Sequence, residues 1–263
     1  MKNPFYNLKV KSFYDGSYSV FKYKNKRVKS NALTYVHNDN ISISSKVETL
    51  EENRQKHVFE VKRKLHDYAL NNEFDRFWTL TFDPKLTDSD DELRFDLMAK
   101  WLKTQRQKAK RKNLEFRYIF IPEYHPGTGE NGHTVHWHGV TGGYHSTLVD
   151  SGVKHKGTKV YNCTDWPYGF TTVSKVRSKA RVSNYIQKYL TKDFVNSPVR
   201  KGKKKYWNSK NLKLPKQKLV DSQIKFNREA DWGSDIVDIF NFTADEAKTL
   251  HLDKLMDLEA KET

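Results

Sequence analysis

The feature that most limits the fold is a set of short alternating runs of aromatic and β-branched residues, set between stretches with helical spacing. Phe77–Phe82 reads FWTLTF, 115–122 reads EFRYIFIP, 133–140 reads HTVHWHGV and 168–176 reads YGFTTVSKV. Successive side chains of a strand point to opposite faces, so runs of this length and make-up predict strands. Between the first two, Asp91–Arg111 aligns Leu93, Leu97, Trp101 and Leu102 on one side and ends in a basic cluster that suits the helix dipole. Lys179–Lys192 predicts another helix, and Gly152–Thr164 predicts a loop. From residue 77 the order is β-α-β-β-β-α. That order implies an α+β layer, a central antiparallel sheet with helices on one face in a ferredoxin-like or RRM-like layout, rather than a doubly wound parallel sheet.

Outside this block, residues 7–37 alternate around a turn at Asp15-Gly16-Ser17, which predicts a β-hairpin. Residues 46–71 predict a long helix with Leu50, Val58, Val61, Leu65 and Tyr68 on one face. The expected division is residues 1–72 as an N-terminal hairpin and long helix, 73–215 as the main domain, and 216–263 as a C-terminal segment with an acidic helix.

Charge narrows the partner. Lys and Arg number 48 against 32 Asp and Glu, a net charge of +16. Each cation set on a phosphate releases a condensed counterion, so such an excess points to a polyanion, with a merely solvated basic surface as the other reading. The charge is uneven. Asp235–Thr263 holds eight acids and three lysines, −5 in all, and leaves +21 on residues 1–234. The acidic stretch reads as a solvated helix, or else as a partner-binding element or a DNA mimic. One cysteine, Cys163, excludes an internal disulfide and a Cys-rich zinc site. No apolar leader and no membrane-length apolar run are present, so a cytoplasmic protein without a membrane partner is expected.

Three groups of residues carry the candidate chemistry. In His136-Trp137-His138, a strand presents both imidazoles on one face and sends Trp137 to the other. Such a pair reads as part of a metal site or as a chance surface pairing; His125 and His133 lie near in sequence. Glu123 ends the preceding strand. If the two strands form a hairpin, its carboxylate joins the imidazoles; otherwise it is a solvated strand-end acid. A cupin-type oxygenase also uses two such histidines but expects a carboxylate a few residues later, where this chain has Gly139-Val140-Thr141-Gly142-Gly143. In Tyr185-Ile186-Gln187-Lys188-Tyr189-Leu190-Thr191-Lys192, a helix puts both phenols on one face, with Lys188 and Lys192 each one turn beyond a tyrosine. The other reading is core packing by the tyrosines. The third group, FWTLTF, is by itself a core strand.

In this order the three groups resemble the motifs of HUH endonucleases. The likeness is to the rolling-circle replication initiators of filamentous phages and plasmids in their two-tyrosine form. FWTLTF looks like the first motif, HWH like the HUH motif, and YIQKY like the tyrosine motif. Gly169-Phe170 and the stretch from Lys205 to Pro215 (KYWNSKNLKLP) also look like that family, so the likeness covers about 73–215. The long insertion between Glu123 and His136 departs from the pattern and touches the third ligand.

The resemblance implies that single-stranded or hairpin origin DNA is nicked and rejoined through a 5′-phosphotyrosine on Tyr185 or Tyr189, with Tyr185 first. It implies a divalent ion, Mn²⁺ or Mg²⁺, on His136, His138 and Glu123; mixed nitrogen and oxygen ligation also admits zinc. Lys188 or Lys192 would neutralise phosphate charge or favour the phenolate. Lys203, Lys204 and Lys205 would track the DNA backbone, and Trp207 would stack a base or be buried. No P-loop is present, so helicase and polymerase would come from a host. A relaxase or single-strand transposase of the same superfamily, and a non-catalytic nucleic-acid-binding module, are the alternatives.

Overall fold

The structure, a computed structural model, describes residues 4–29, 50–87, 91–125, 134–189 and 206–257. In chain order the described elements are β1 (Phe5–Ser12), β2 (Tyr18–Val28), α1 (Leu50–Asn71), β3 (Arg76–Thr81), α2 (Pro84–Thr87), α3 (Asp91–Arg111), β4 (Phe116–His125), β5 (Thr134–Gly143), β6 (Leu148–His155), β7 (Thr158–Cys163), β8 (Thr171–Lys175) and α4 (Lys179–Lys188). These are followed by β9 (Trp207–Asn208), β10 (Lys216–Val220), β11 (Trp232–Gly233), β12 (Val237–Phe242), α5 (Ala244–Thr249) and α6 (Asp253–Asp257). The chain divides into two units, residues 49–213 and residues 1–48 with 214–263.

The larger unit is an α+β layer structure around a seven-stranded sheet in the order β6-β7-β8-β3-β5-β4-β9. Every pairing in it is antiparallel. Period-two alternation sorts its side chains onto two faces. Trp78, Leu80, Phe120 and Trp137 point to one face and pack with Phe95, Met98, Trp101 and Leu102 of α3. Phe77, Ile119, Ile121 and Val140 point to the other and pack with Leu65, Tyr68 and Ala69 of α1 and Val182 and Ile186 of α4. Helices therefore cover both faces, not one as expected. The reason lies in β3, β4 and β5, which are apolar on both sides at their centres, as sheet strands buried on two faces must be.

Two further expectations change here. Residues 152–164 form most of the β6–β7 hairpin rather than a loop. Its turn is Lys156-Gly157, with φ of 47° and 74°, the left-handed pair that a tight two-residue hairpin needs. On α3 the buried stripe runs through Phe95, Met98, Trp101, Leu102 and Ala109, and Leu93 is exposed. Burial of Arg94 and Gln105 on the same helix blurred that stripe in the sequence. The helix spans the expected residues and ends where Asn113 turns left-handed (φ 53°), letting the Leu114 amide donate to the Ala109 carbonyl at 3.0 Å.

The smaller unit is a five-stranded antiparallel sheet, β10-β1-β2-β12-β11. Its core is Leu8, Val10, Val20, Val220, Phe240 and Phe242, covered by Ala247, Leu252 and Leu255. The N-terminal hairpin thus pairs with the C-terminal segment, and α1 belongs to the larger unit, so the expected grouping of residues 1–72 does not hold. The acidic stretch holds a strand and two short helices rather than one helix. Val237, Ile239 and Phe240 supply sheet residues, and a capping box between Thr243 and Glu246 starts α5 only at Ala244.

Candidate active site

The site is built on the sheet face that α1 and α4 cover. In β4 and β5, Glu123 stands directly opposite His136. In β3 and β5, Thr81 stands opposite His136 and Thr79 opposite His138. Cross-strand partners point to the same face, so these five side chains form two adjacent rows. The hairpin condition for Glu123 is met: its Oε2 lies 2.6 Å from His138 Nε2. Thr79 Oγ1 lies 3.2 Å from His138 Nδ1, so that ring is approached from both edges. The two imidazoles have centroids 6.4 Å apart and are 26° from parallel. Trp137, between them, is fully buried against Phe95 and Trp207 on the opposite face. That packing holds the strand and orients the histidines.

Helix α4 brings the tyrosines to the same place. Its buried Val182 and Ile186 seat it on the sheet, and His66 of α1 meets Ser183 at 2.6 Å (Nδ1 to Oγ). Tyr185 packs on Phe77 at 4.5 Å and donates its hydroxyl to the Trp78 carbonyl at 2.7 Å. The same hydroxyl lies 3.4 Å from His138 Nδ1. Tyr189 lies flat on the His138 ring, 3.7 Å between centroids and 5° from parallel. Lys188 is exposed, with Nζ 5.3 Å from the Tyr189 ring centroid.

The electrostatics oppose a resting phenolate. Burial, and then the neighbouring Tyr189, push the Tyr185 phenol far above the ordinary tyrosine range. Burial, and then the Glu123 carboxylate, raise Tyr189 as well. A tyrosine acting here needs positive charge supplied as it reacts.

Among the described residues, no group of three or more His, Cys, Asp or Glu side chains is arranged to hold a metal ion. In donor chemistry, two imidazoles and one carboxylate on one face fit a divalent ion. In geometry, Glu123 and His138 meet each other directly.

The other expected residues fall elsewhere. Trp207 sits on β9 opposite Phe120 and packs on Trp137 and Phe95, so it faces α3, away from the histidines. Its place in the sheet, not its type, decides this, and of the two readings of Trp207 it is burial that the structure bears out. Lys192, Lys203, Lys204, Lys205 and His133 lie outside the described residues, as does the side chain of His125. Two residues of the site escaped the sequence reading. Thr79 was hidden in a strand read only as core, although alternation with Trp78 and Leu80 marks it for the other face. Arg181 precedes Tyr185 by four residues, the same spacing as the tyrosine pair, and so shares their helix face.

Residues 75–194 match the family model of the replication-associated proteins of the ORF2 type. No curated protein and no solved structure matches the chain. The matched stretch contains Glu123, His136, His138, Tyr185, Lys188, Tyr189 and Lys192, and it resembles proteins of replication, which act on DNA. Among the described residues no helix is long and apolar enough to cross a membrane.

Proposed function

We propose that the chain is a rolling-circle replication initiator that nicks and rejoins single-stranded origin DNA through a phosphotyrosine. The observation that carries this is the meeting of Glu123, His136 and His138 with Tyr185 and Tyr189 on one sheet face. A tyrosine oxygen attacks the scissile phosphorus and loses its proton. The P–O3′ bond breaks, the 3′ oxygen gains a proton, and the downstream strand stays on the tyrosine by its 5′ phosphate. Attack by a 3′-hydroxyl reverses the exchange without an external energy source, since one phosphodiester replaces another. A divalent ion, Mn²⁺ or Mg²⁺, held by His136, His138 and Glu123, supplies Lewis-acid polarisation of the phosphate. Lys188 offers further positive charge beside Tyr189.

Two tyrosines one turn apart let one hold the first 5′ end while the other cuts the regenerated origin. The structure favours Tyr189 for the first cut, reversing the order implied by the family resemblance. Tyr189 is half-buried and so reachable, whereas the Tyr185 hydroxyl is committed to the Trp78 carbonyl. The direct Glu123–His138 contact supports a second reading, a DNA-binding module without catalysis. A 3′-labelled single-stranded oligonucleotide pool containing the replicon's origin decides between them. With Mn²⁺ or Mg²⁺, label should run with the protein on a denaturing gel; absence of any adduct with either ion leaves the binding module.

A further inference from the structure

Beside the tyrosine helix, a cavity of ≈ 690 Å³ opens over β6, β7 and β8. Its floor continues the catalytic rows. Thr79 pairs with His138 on one side and with Thr172 on the other, so Thr172 lies about 10 Å from His138, two strand spacings across the same face. One row further on, Phe77 pairs with Ser174, and Ser174 with Val160. Asn162 follows on the same face of β7, and both it and Thr172 are exposed.

The walls are basic. Lys156, Lys175, Arg177 and Arg181 line the cavity, and among the described residues no carboxylate does. Arg177 is set in place by bonds from its guanidinium to the Lys156 carbonyl and the Thr158 hydroxyl, which tie the segment after β8 to the β6–β7 turn. Arg181 lies on the α4 face that carries Tyr185 and Tyr189. At the other margin stands Phe170, 75% exposed. Its carbonyl accepts from the Thr81 amide at 2.8 Å. Because Thr171 is buried opposite Leu80, alternation puts Phe170 on the face of Thr81 and His136.

We propose that this groove holds the single-stranded DNA flanking the scissile phosphate, with phosphates on Lys156 and Arg181 and one unpaired base on Phe170. The proposal rests on reading the neighbouring site as one that acts on single-stranded DNA. A polyanion fits a wall of four cations without a carboxylate. Unpaired bases are specified by the ring, since an aromatic face stacks on a base whose own face is free, and a duplex hides those faces. The polar floor of Asn162, Thr172 and Ser174 offers hydrogen bonds to base edges.

The test is fluorescence anisotropy of the full chain with labelled dT20 and with a 20-base-pair duplex, in EDTA and over a salt series. Phe170→Ala should weaken dT20 binding roughly tenfold, Phe170→Trp should restore it, and the duplex should change less than about twofold. Lys156→Ala with Arg181→Ala should weaken dT20 binding and lower the log–log salt slope by about 1.4, about 0.7 for each phosphate no longer neutralised. These three side chains are exposed, and a thermal melt checks that the variants fold. Unchanged dT20 affinity and slope would overturn the groove. Equal weakening on dT20 and duplex would overturn the single-strand assignment. Since EDTA removes cleavage from the readout, a chain that forms no adduct yet shows this weakening keeps the groove and loses the nicking reading.

Discussion

At the scale of the residue, the site is a small set of side chains whose roles differ by burial. Tyr185 and Tyr189 share a helix face, yet one hydroxyl is bonded to backbone and the other tyrosine covers an imidazole. The double variant Tyr185→Phe, Tyr189→Phe should form no covalent DNA adduct, because both nucleophilic oxygens are gone while the rings still pack. Tyr189→Phe alone should slow the first cut by on the order of a hundredfold or more, and Tyr185→Phe by clearly less. Peptide mapping of the DNA-linked residue checks the order, and an adduct on Tyr206 would remove α4 from the mechanism. His138→Ala should raise the metal concentration needed for half-maximal nicking by about tenfold or more, and Glu123→Gln should move it the same way; a titration that overlays wild type would place the ligands elsewhere. Cys163 is buried, and burial pushes its thiol up to about 11. It stays protonated and covered at pH 8, so alkylation there should follow global unfolding in urea and not precede it.

At the scale of the element, close approaches of backbone hold the site strands together. A Cβ at Gly139, next to His138, would stand 2.2 Å from the Phe120 ring and 2.6 Å from the Ile119 carbonyl oxygen. A Cβ at Gly169 would stand 2.3 Å from the Thr81 carbonyl oxygen and 2.6 Å from the Asp83 amide, at a φ of +149°. Gly139→Ala and Gly169→Ala should each cost about 1–3 kcal/mol in urea unfolding. Gly152→Ala, at φ +75° but with nothing within 4 Å of the added carbon, should cost only the left-handed backbone penalty, about 1–2 kcal/mol. If Gly139→Ala is neutral, Phe120 and β4 yield more easily than their burial implies.

At the scale of the whole molecule, the two ends of the chain build one sheet. β1 has β10 and β2 as neighbours, and β2 has β1 and β12. A lone two-stranded hairpin is marginal in water. Removing residues 214–263 should therefore leave residues 4–29 open to limited proteolysis, while fragments from residue 50 onward persist. Mass spectrometry of the digest checks this; protection of residues 4–29 would mean that the hairpin draws its stability from elsewhere.

Much of the larger unit was legible because its signals are local. Alternation in FWTLTF and HTVHWHGV, helical spacing in 91–111, and the four-residue step from Tyr185 to Tyr189 each follow from strand or helix geometry alone. That both histidines share a face needs nothing beyond a period of two. What no local signal carries is partnership between distant segments. The Glu123–His136 register, the second helix layer, the burial of Trp207 on the far face, and the pairing of an N-terminal hairpin with C-terminal strands all depend on which strand lies beside which. The β6–β7 hairpin was missed because its turn is Lys-Gly, in which a non-glycine residue adopts a left-handed backbone. Sequence by itself determined the chemistry on offer: imidazoles, a carboxylate, phenols and an excess of cations. Tertiary structure decided which of them meet, because strand pairing and two-sided burial are settled by the packing of the whole sheet.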